Sequence, residues 1–411
     1  MRLFTRRSTL ALPAGAVAAP SSIARATGKT VTIGIDLTLT GADAETAIQS
    51  RGAALMAIDD CNADGGPGGW HLNALVLDDG TATTGQYDPA QAAINARKFV
   101  ADRSVIACVG PQSSTPAKAM AAIFSTANLA TLTPSATNPD LTDPAFAKLY
   151  RPSGVPVFFR LVTTDAWQGP GMANFLAGVL HLKSVFVLDD SGAFGIGLAQ
   201  AFERQARTRG MNVLGRDRLD PKAADYTAIL TKIKSLQPDA LYFGGDTQAG
   251  VKLAKQGYEI IPGVIKASGD GIVDTTMLTG AGFPAADRWY CTLASPHIVE
   301  DPSAQDWVKR FVARTRVQPS DYSITTYDCV AVIADAIRRV AAGGAPVNRA
   351  NVRDAIQATK LTTLQGEISF DANGDLNQRA VSVFQIRHDR DFPADDMLHQ
   401  YKYVAQAAVT N

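Results

Sequence analysis

Val105-Ile106-Ala107-Cys108-Val109-Gly110-Pro111-Gln112-Ser113-Ser114 is the stretch on which the fold turns. Five apolar residues end at a glycine, a polar turn follows, and a helical pattern opens near Ser114. A short, wholly apolar run bounded by turn residues reads as a strand covered on both faces, which is what a parallel sheet requires. Strand, turn and helix then make one crossover unit.

Outward from this stretch the unit repeats. Upstream, 31–35 is strand-like, and Ile48, Gly52, Leu55 and Met56 keep one helical face. Asn62-Ala63-Asp64-Gly65-Gly66 closes that helix, and 72–77 is a second strand. Asp88-Pro89 opens the next helix with a cap residue and a proline at its first position, and Ala92, Ala96 and Phe99 give its apolar face. Downstream, 129–133 is another strand. A second series follows, with strands at 158–162, 185–188, 240–243, 264–267 and 289–293 and helices near 168–180, 195–209, 225–236 and 248–257. After Pro296 the chain reads as helical near 303–315, 323–342 and 348–359, then strand-like at 366–370, 381–386 and 401–404. The expectation is two α/β lobes with parallel central sheets. Ligands of such sheets bind beyond the C-terminal ends of the strands, so the loops there are the candidate site.

A chain of 411 residues with 46% apolar residues fits more than one core. Its start carries Thr5-Arg6-Arg7-Ser8-Thr9-Leu10, an apolar run to about Ala19, and Ala24-Arg25-Ala26. Together these read as an export signal over 1–26, of twin-arginine type, with general secretory routing as the alternative. The run is too short for a bilayer span of about 20 residues. No cysteine precedes Cys61, so a lipid anchor at the cleavage site is not expected. Without that segment 35 basic residues face 39 acidic ones. So mild and mixed a charge gives no electrostatic case for nucleic acid or membrane lipid. Cys61, Cys108, Cys291 and Cys329 match no zinc or redox spacing and read as free core thiols, with pairing in an exported chain as the alternative.

Four passages carry a resemblance. The opening strand is followed by Leu39-Thr40-Gly41. Ile58-Asp59-Asp60-Cys61-Asn62-Ala63-Asp64-Gly65-Gly66 precedes a strand ending in Asp78-Asp79. Val109-Gly110-Pro111-Gln112-Ser113-Ser114 stands upstream of Thr133-Pro134-Ser135-Ala136-Thr137-Asn138-Pro139, and Asp189-Asp190-Ser191-Gly192-Ala193-Phe194-Gly195-Ile196-Gly197 comes last. In this order the sequence resembles the periplasmic binding proteins for leucine, isoleucine and valine. The resemblance implies the type I periplasmic binding fold, two Rossmann-like lobes joined by a three-strand hinge. It implies crossings near 161–165, 293–296 and 363–367, with lobe one at 29–161 plus 296–363 and lobe two at 165–293 plus 367–411. It also implies a free periplasmic carrier that binds an amino acid or a related small polar amide or carboxylate; no cofactor and no metal is expected, and the chain is expected to act as a monomer serving the permease of an ABC importer.

By the same resemblance, Ser114, Ser135 and Thr137 hold the carboxylate and part of the ammonium of an amino-acid ligand. Free amides at a helix N-terminus and nearby hydroxyls suit an anion independently. Asp270, in Ser268-Gly269-Asp270-Gly271, corresponds to the acidic partner of the ammonium group; Phe194 and Tyr322 correspond to aromatic walls. The alternatives are a helix cap for Ser114, turn roles for Thr137 and Asp270, and core packing for Phe194 and Tyr322. Two departures stand out. Asp246 occupies a place where leucine binders have tyrosine, and Gly41-Ala42-Asp43-Ala44-Glu45 lacks an expected aromatic. A cationic or more polar side chain would suit Asp246, unless it only caps the following helix. Trp167 is a candidate for replacement apolar surface.

An exported α/β enzyme is the rival from another class. The sequence has no Gly-Lys-Ser/Thr phosphate loop and no Gly-x-Ser-x-Gly elbow. Gly192-x-x-Gly195-x-Gly197 has the wrong order for a dinucleotide fingerprint, and its five histidines are far apart. A ligand-sensing receptor domain of the same fold, such as an amide sensor, is the second rival.

Overall fold

The computed structural model describes residues 29–408; the export signal expected over 1–26 lies outside them. A five-stranded sheet runs in the order Trp70–Asp78, Lys29–Leu37, Val105–Val109, Ala130–Thr133, Phe158–Arg160, and every neighbouring pair is parallel. Lys29–Leu37 and Val105–Val109 are the apolar runs of the sequence, and both are buried along almost their whole length. Helices Ala44–Ala63 and Asp321–Ala342 cover one face through Ala54, Ile58, Ile333 and Ile337. Helix Pro89–Ala101 covers the other through Ala92, Ala96 and Phe99. Its start is fixed as its residues dictate: the Asp88 carboxylate accepts from Ala90 N–H at 2.9 Å, and Pro89 sits where no donor is needed.

The second sheet has seven strands, ordered Tyr401–Gln406, Ser382–Ile386, Tyr290–Leu293, Ile265–Ser268, Ala240–Gly244, Ser184–Asp189, Asn212–Arg218. The strands from 184 to 293 are parallel; Ser382–Ile386 and Tyr401–Gln406 close one edge antiparallel. The other edge strand, Asn212–Arg218, escapes sequence reading. It lies at an edge and is only partly buried, so it carries neither a solid apolar run nor a clean alternation. Phe202 stacks on Tyr242 with centroids 3.6 Å apart, anchoring helix Ala193–Thr208 on this sheet.

The chain passes between the sheets beside itself. Thr163 N–H donates to Ala294 O at 2.8 Å, so the passages after Phe158–Arg160 and after Tyr290–Leu293 run side by side. The third passage lies beyond the expected 363–367. Ile368, Phe370 and Leu376 remain in the core of the first sheet, and the Phe370 ring meets Phe159 at 5.2 Å. These apolar residues are recruited there because the hairpin Leu361–Thr363 with Gly366–Ile368 folds back against the first lobe. The four cysteines are free, three of them buried.

Candidate functional site

Strand ends of both lobes open on one narrow cleft of ≈ 50 Å³. In the first lobe the decisive turn is at Gly110. Its φ is +104°, and a Cβ there would meet Asp36 O at 2.1 Å, so only glycine turns the chain at this point. The turn brings Gln112, Ser113 and Ser114 to the cleft wall. Ser113, not Ser114, holds the cap position of helix Ser114–Thr126, and its side chain makes no capping bond. Ser114 Oγ accepts from Asn138 N–H at 3.1 Å, and Ser135 Oγ donates to Gln112 O at 2.8 Å. The two loops are thus tied together, and Ser135 also lines the cleft.

Arg160 holds this loop pair from behind and carries no motif that sequence reasoning could use. It is fully buried. Its guanidinium donates to Ala136 O at 3.0 Å, Asn138 O at 3.2 Å and Thr142 Oγ1 at 2.6 Å, and pairs with Asp375 at 2.6 Å. One rigid fork therefore fixes the carbonyls of the segment that carries Ser135.

The second lobe supplies Phe194, at the start of helix Ala193–Thr208, together with Asp246 and Asp270. Gly195 allows that helix to approach: a Cβ on it would lie 2.4 Å from Gly244 O. Asp270 accepts from Gln168 Nε2 at 2.9 Å and from the phenol of Tyr322, which reaches over from the helix Asp321–Ala342. Gln168 Nε2 also donates to Asp165 at 3.1 Å, and its Oε1 accepts from Thr292 at 3.2 Å. The acid is thereby wired to the crossing segments.

Asp246 stands at the cap position of helix Thr247–Ile260 without capping it. Its Oδ2 accepts instead from the Tyr87 phenol of the opposite lobe at 3.0 Å. Other bonds span the cleft. Thr46 donates to Asp274 through its N–H at 3.2 Å and through its hydroxyl. Asn138 Nδ2 donates to Ala193 O at 2.7 Å, and Gln248 Nε2 to Thr84 O at 3.0 Å. The lobes are therefore latched together.

The electrostatics of the cleft are one-sided. Asp43, Asp246, Asp270 and Asp274 line it, and among the described residues no arginine, lysine or histidine does. Burial raises Asp43 to about 8, helped by the negative charge of Asp274. Burial also raises Asp270 to about 6 against the hydrogen bonds of Tyr322 and Gln168. Asp246 is pushed well above the usual carboxylate range by burial and then by Asp190 and Asp43. Buried carboxylates with few donors call for a cationic partner.

Of the seven residues singled out from sequence, six meet at this cleft: Ser114, Ser135, Phe194, Asp246, Asp270 and Tyr322. Phe194 and Tyr322 serve core and cleft at once. Thr137 does not line the cleft. It is buried, its carbonyl accepts from Asp165 N–H at 3.0 Å, and its hydroxyl lies near enough to the Asp165 carboxyl to lower it. Trp167 is also absent from the lining; its ring packs in the second lobe under the Arg379 guanidinium, 4.2 Å from the centroid. Asp43, Thr46, Asp274 and Tyr87 escaped the sequence reading as site residues. The Asp43 loop was noted only for the aromatic it lacks, and Asp274 and Tyr87 stand in no motif.

The comparisons agree with this architecture. A family model described as periplasmic binding protein matches residues 30–391. A leucine-, isoleucine-, valine-, threonine- and alanine-binding protein of Pseudomonas aeruginosa is 28% identical over 390 residues, covering 95% of this chain and 98% of the relative. A Leu/Ile/Val-binding protein of Rhizobium johnstonii is 27% identical over 355 residues, 86% of this chain and 91% of the relative. Among solved structures, the leucine-binding protein LivK of Thermotoga maritima superposes with a TM-score of 0.78 at 22% identity, over 92% of this chain and 98% of that one.

Proposed function

The chain belongs to the periplasmic binding protein family; it is a solute-binding protein, and we propose that its solute is an α-amino acid held between the lobes for the permease of an ABC importer. The observation that carries this reading is the split of the cleft into two half-sites. The first lobe presents hydroxyls and the uncapped first turn of the helix Ser114–Thr126, which suit a carboxylate. The second presents Asp270, which suits an ammonium group. A zwitterion is costly to bury unless both charges are met, so neither lobe satisfies it alone and closure does. The relatives named for leucine, isoleucine and valine binding support an amino acid as the ligand class. No helix among the described residues is long and apolar enough to cross a membrane. With the sequence signs of export, we place the protein in the periplasm, acting as a monomer.

The test is a thermal-shift screen of protein freed of solute by unfolding and refolding. A solute at 100 times its Kd adds about 2.7 kcal/mol of stability. An amino acid should produce the shift. Asp270→Asn should weaken it by about 2–5 kcal/mol while affecting its des-amino analogue far less. Equal losses for both would remove Asp270 from the ammonium role.

A further inference from the structure

Asp270 alone answers the ammonium group, which leaves three carboxylates of the same cleft without an assigned partner. They are not equivalent. Asp274 is well supplied with donors: Thr46 N–H and hydroxyl on Oδ2, and Thr276 N–H on Oδ1 at 2.6 Å. Asp246 receives one, from Tyr87. Asp43 is the least supplied: its side chain is buried and lines the cleft, its Oδ2 has no hydrogen-bond partner among the described residues, and only the Thr247 N–H and hydroxyl lie near enough to lower its carboxyl, against the larger effect of burial. It is 7% exposed. The Thr247 hydroxyl has its own acceptor in Gly271 O at 2.9 Å, so its hold on Asp43 is shared. The Gln112 Oε1 acceptor on the cleft wall is likewise unmet. What is missing is a donor, and a positive one would in addition let the neighbouring carboxyls ionise.

We infer that the solute carries a second, cationic nitrogen group seated against Asp43 and Asp246, with Asp274 closing the charge around it, so that the protein selects basic amino acids over branched aliphatic ones. The inference rests on the zwitterion reading above for the placement of the α-amino and carboxylate groups. It fits the raised position of Asp43 and Asp246, since a bound cation would offset the mutual repulsion and burial that hold them up. It also gives a use to the replacement of an aromatic wall by acid. A leucine side chain set against Asp43 would leave its Oδ2 buried without a donor, a cost that a guanidinium or ammonium group removes.

The experiment compares isosteric solutes by calorimetry on the refolded, solute-free protein. L-arginine should bind at least about 30-fold more tightly than L-citrulline, and L-lysine more tightly than L-norleucine, the scale of losing one partner of a buried charge pair. Asp43→Asn and Asp246→Asn should each shrink the arginine-to-citrulline ratio, and the wild-type comparison stands even where a variant fails to fold. Citrulline or norleucine binding as tightly as its charged counterpart overturns the inference and leaves the zwitterion reading in place. Cadaverine, which keeps both cations of lysine and lacks its carboxylate, separates the two ideas. Binding close to that of lysine would support the second cation seat while removing the carboxylate half-site. Binding of none of these solutes would overturn the inference together with the amino-acid reading.

Discussion

The phenol of Tyr87 donates a hydrogen bond of 3.0 Å to Asp246 Oδ2, and it does so across the cleft, from one lobe to the other. Tyr87 is buried, on a short two-residue strand just before the helix Pro89–Ala101. A hydroxyl reaching from the first lobe thus holds the acid that departs from the leucine-binder pattern. The bond latches the lobes and keeps Asp246 turned into the cleft instead of back onto its own helix.

Tyr87→Phe is expected to loosen the latch. Leaving one partner of a buried hydrogen bond unsatisfied costs about 1–3 kcal/mol, so the closed form should lose stability on that scale. Small-angle scattering of the solute-free protein should show a larger radius of gyration, and solute affinity should fall mainly through faster release. Unchanged scattering and affinity would mean that the other cleft-spanning bonds suffice.

Arg160→Ala is expected to destabilise the chain by about 3–5 kcal/mol in urea unfolding, because it leaves buried carbonyls and the Asp375 carboxylate without their donor. Asp375→Asn should cost less, since Asp375 keeps part of its surface in water. Both changes should weaken solute binding beyond their effect on stability, as they release the segment that carries Ser135.

Gly110→Ala is expected to destabilise through strain. The φ of +104° alone costs a side-chain residue about 1–3 kcal/mol, and the 2.1 Å approach to Asp36 O adds to it. Thermal unfolding and solute titration should both report the change, because the turn places Ser113 and Ser114.

Stability should depend on pH through the cleft acids and through the buried Asp190, which accepts from Asp246 N–H at 2.9 Å. Asp43 is raised from 3.8 to about 8, and Asp270 and Asp190 to about 6. In this window the folded chain holds protons that the unfolded chain has released. The contribution is present in full below 3.8 and is lost as pH rises through 6 and then 8. The solute-free protein should therefore have a higher Tm at pH 5 than at pH 8, and Asp43→Asn should flatten the upper part of that fall. Affinity for a cationic solute should move the other way, rising with pH as the carboxyls ionise. A Tm that climbs from pH 5 to pH 8 in the solute-free protein would contradict the assigned protonation.

Much of this was legible in the chain itself. Short apolar runs bounded by turn residues, such as 105–109 and 240–243, read as strands covered on both faces, and helical spacing between them makes the connections parallel. Turn and cap residues with one physical use, such as Gly110 and Asp88, marked where elements end. Ser114, Ser135, Phe194, Asp246, Asp270 and Tyr322 were reached through the family resemblance, and the rule that ligands bind beyond the strand ends pointed to the same loops. The edge strand Asn212–Arg218, by contrast, has no distinctive pattern because its environment is half solvent. Thr137, expected at the ligand by resemblance, is not among the residues that line the cleft, and resemblance along a loop does not say which side of the backbone faces it.

What the sequence by itself determined is the alternation of strands and helices, the two lobes and the loops that carry the chemistry, since those depend on local pattern and burial period. Only the tertiary structure decided which acids share a cavity. Asp43, Asp246 and Asp274 come from separate loops of both lobes, and their charges act on one another because folding removes the water between them. It likewise decided that Arg160 and Asp375, 215 positions apart, would brace the Ser135 loop from behind. Hydrogen-bond partners and local dielectric are properties of the assembled cleft, and neither leaves a trace in the order of residues along the chain.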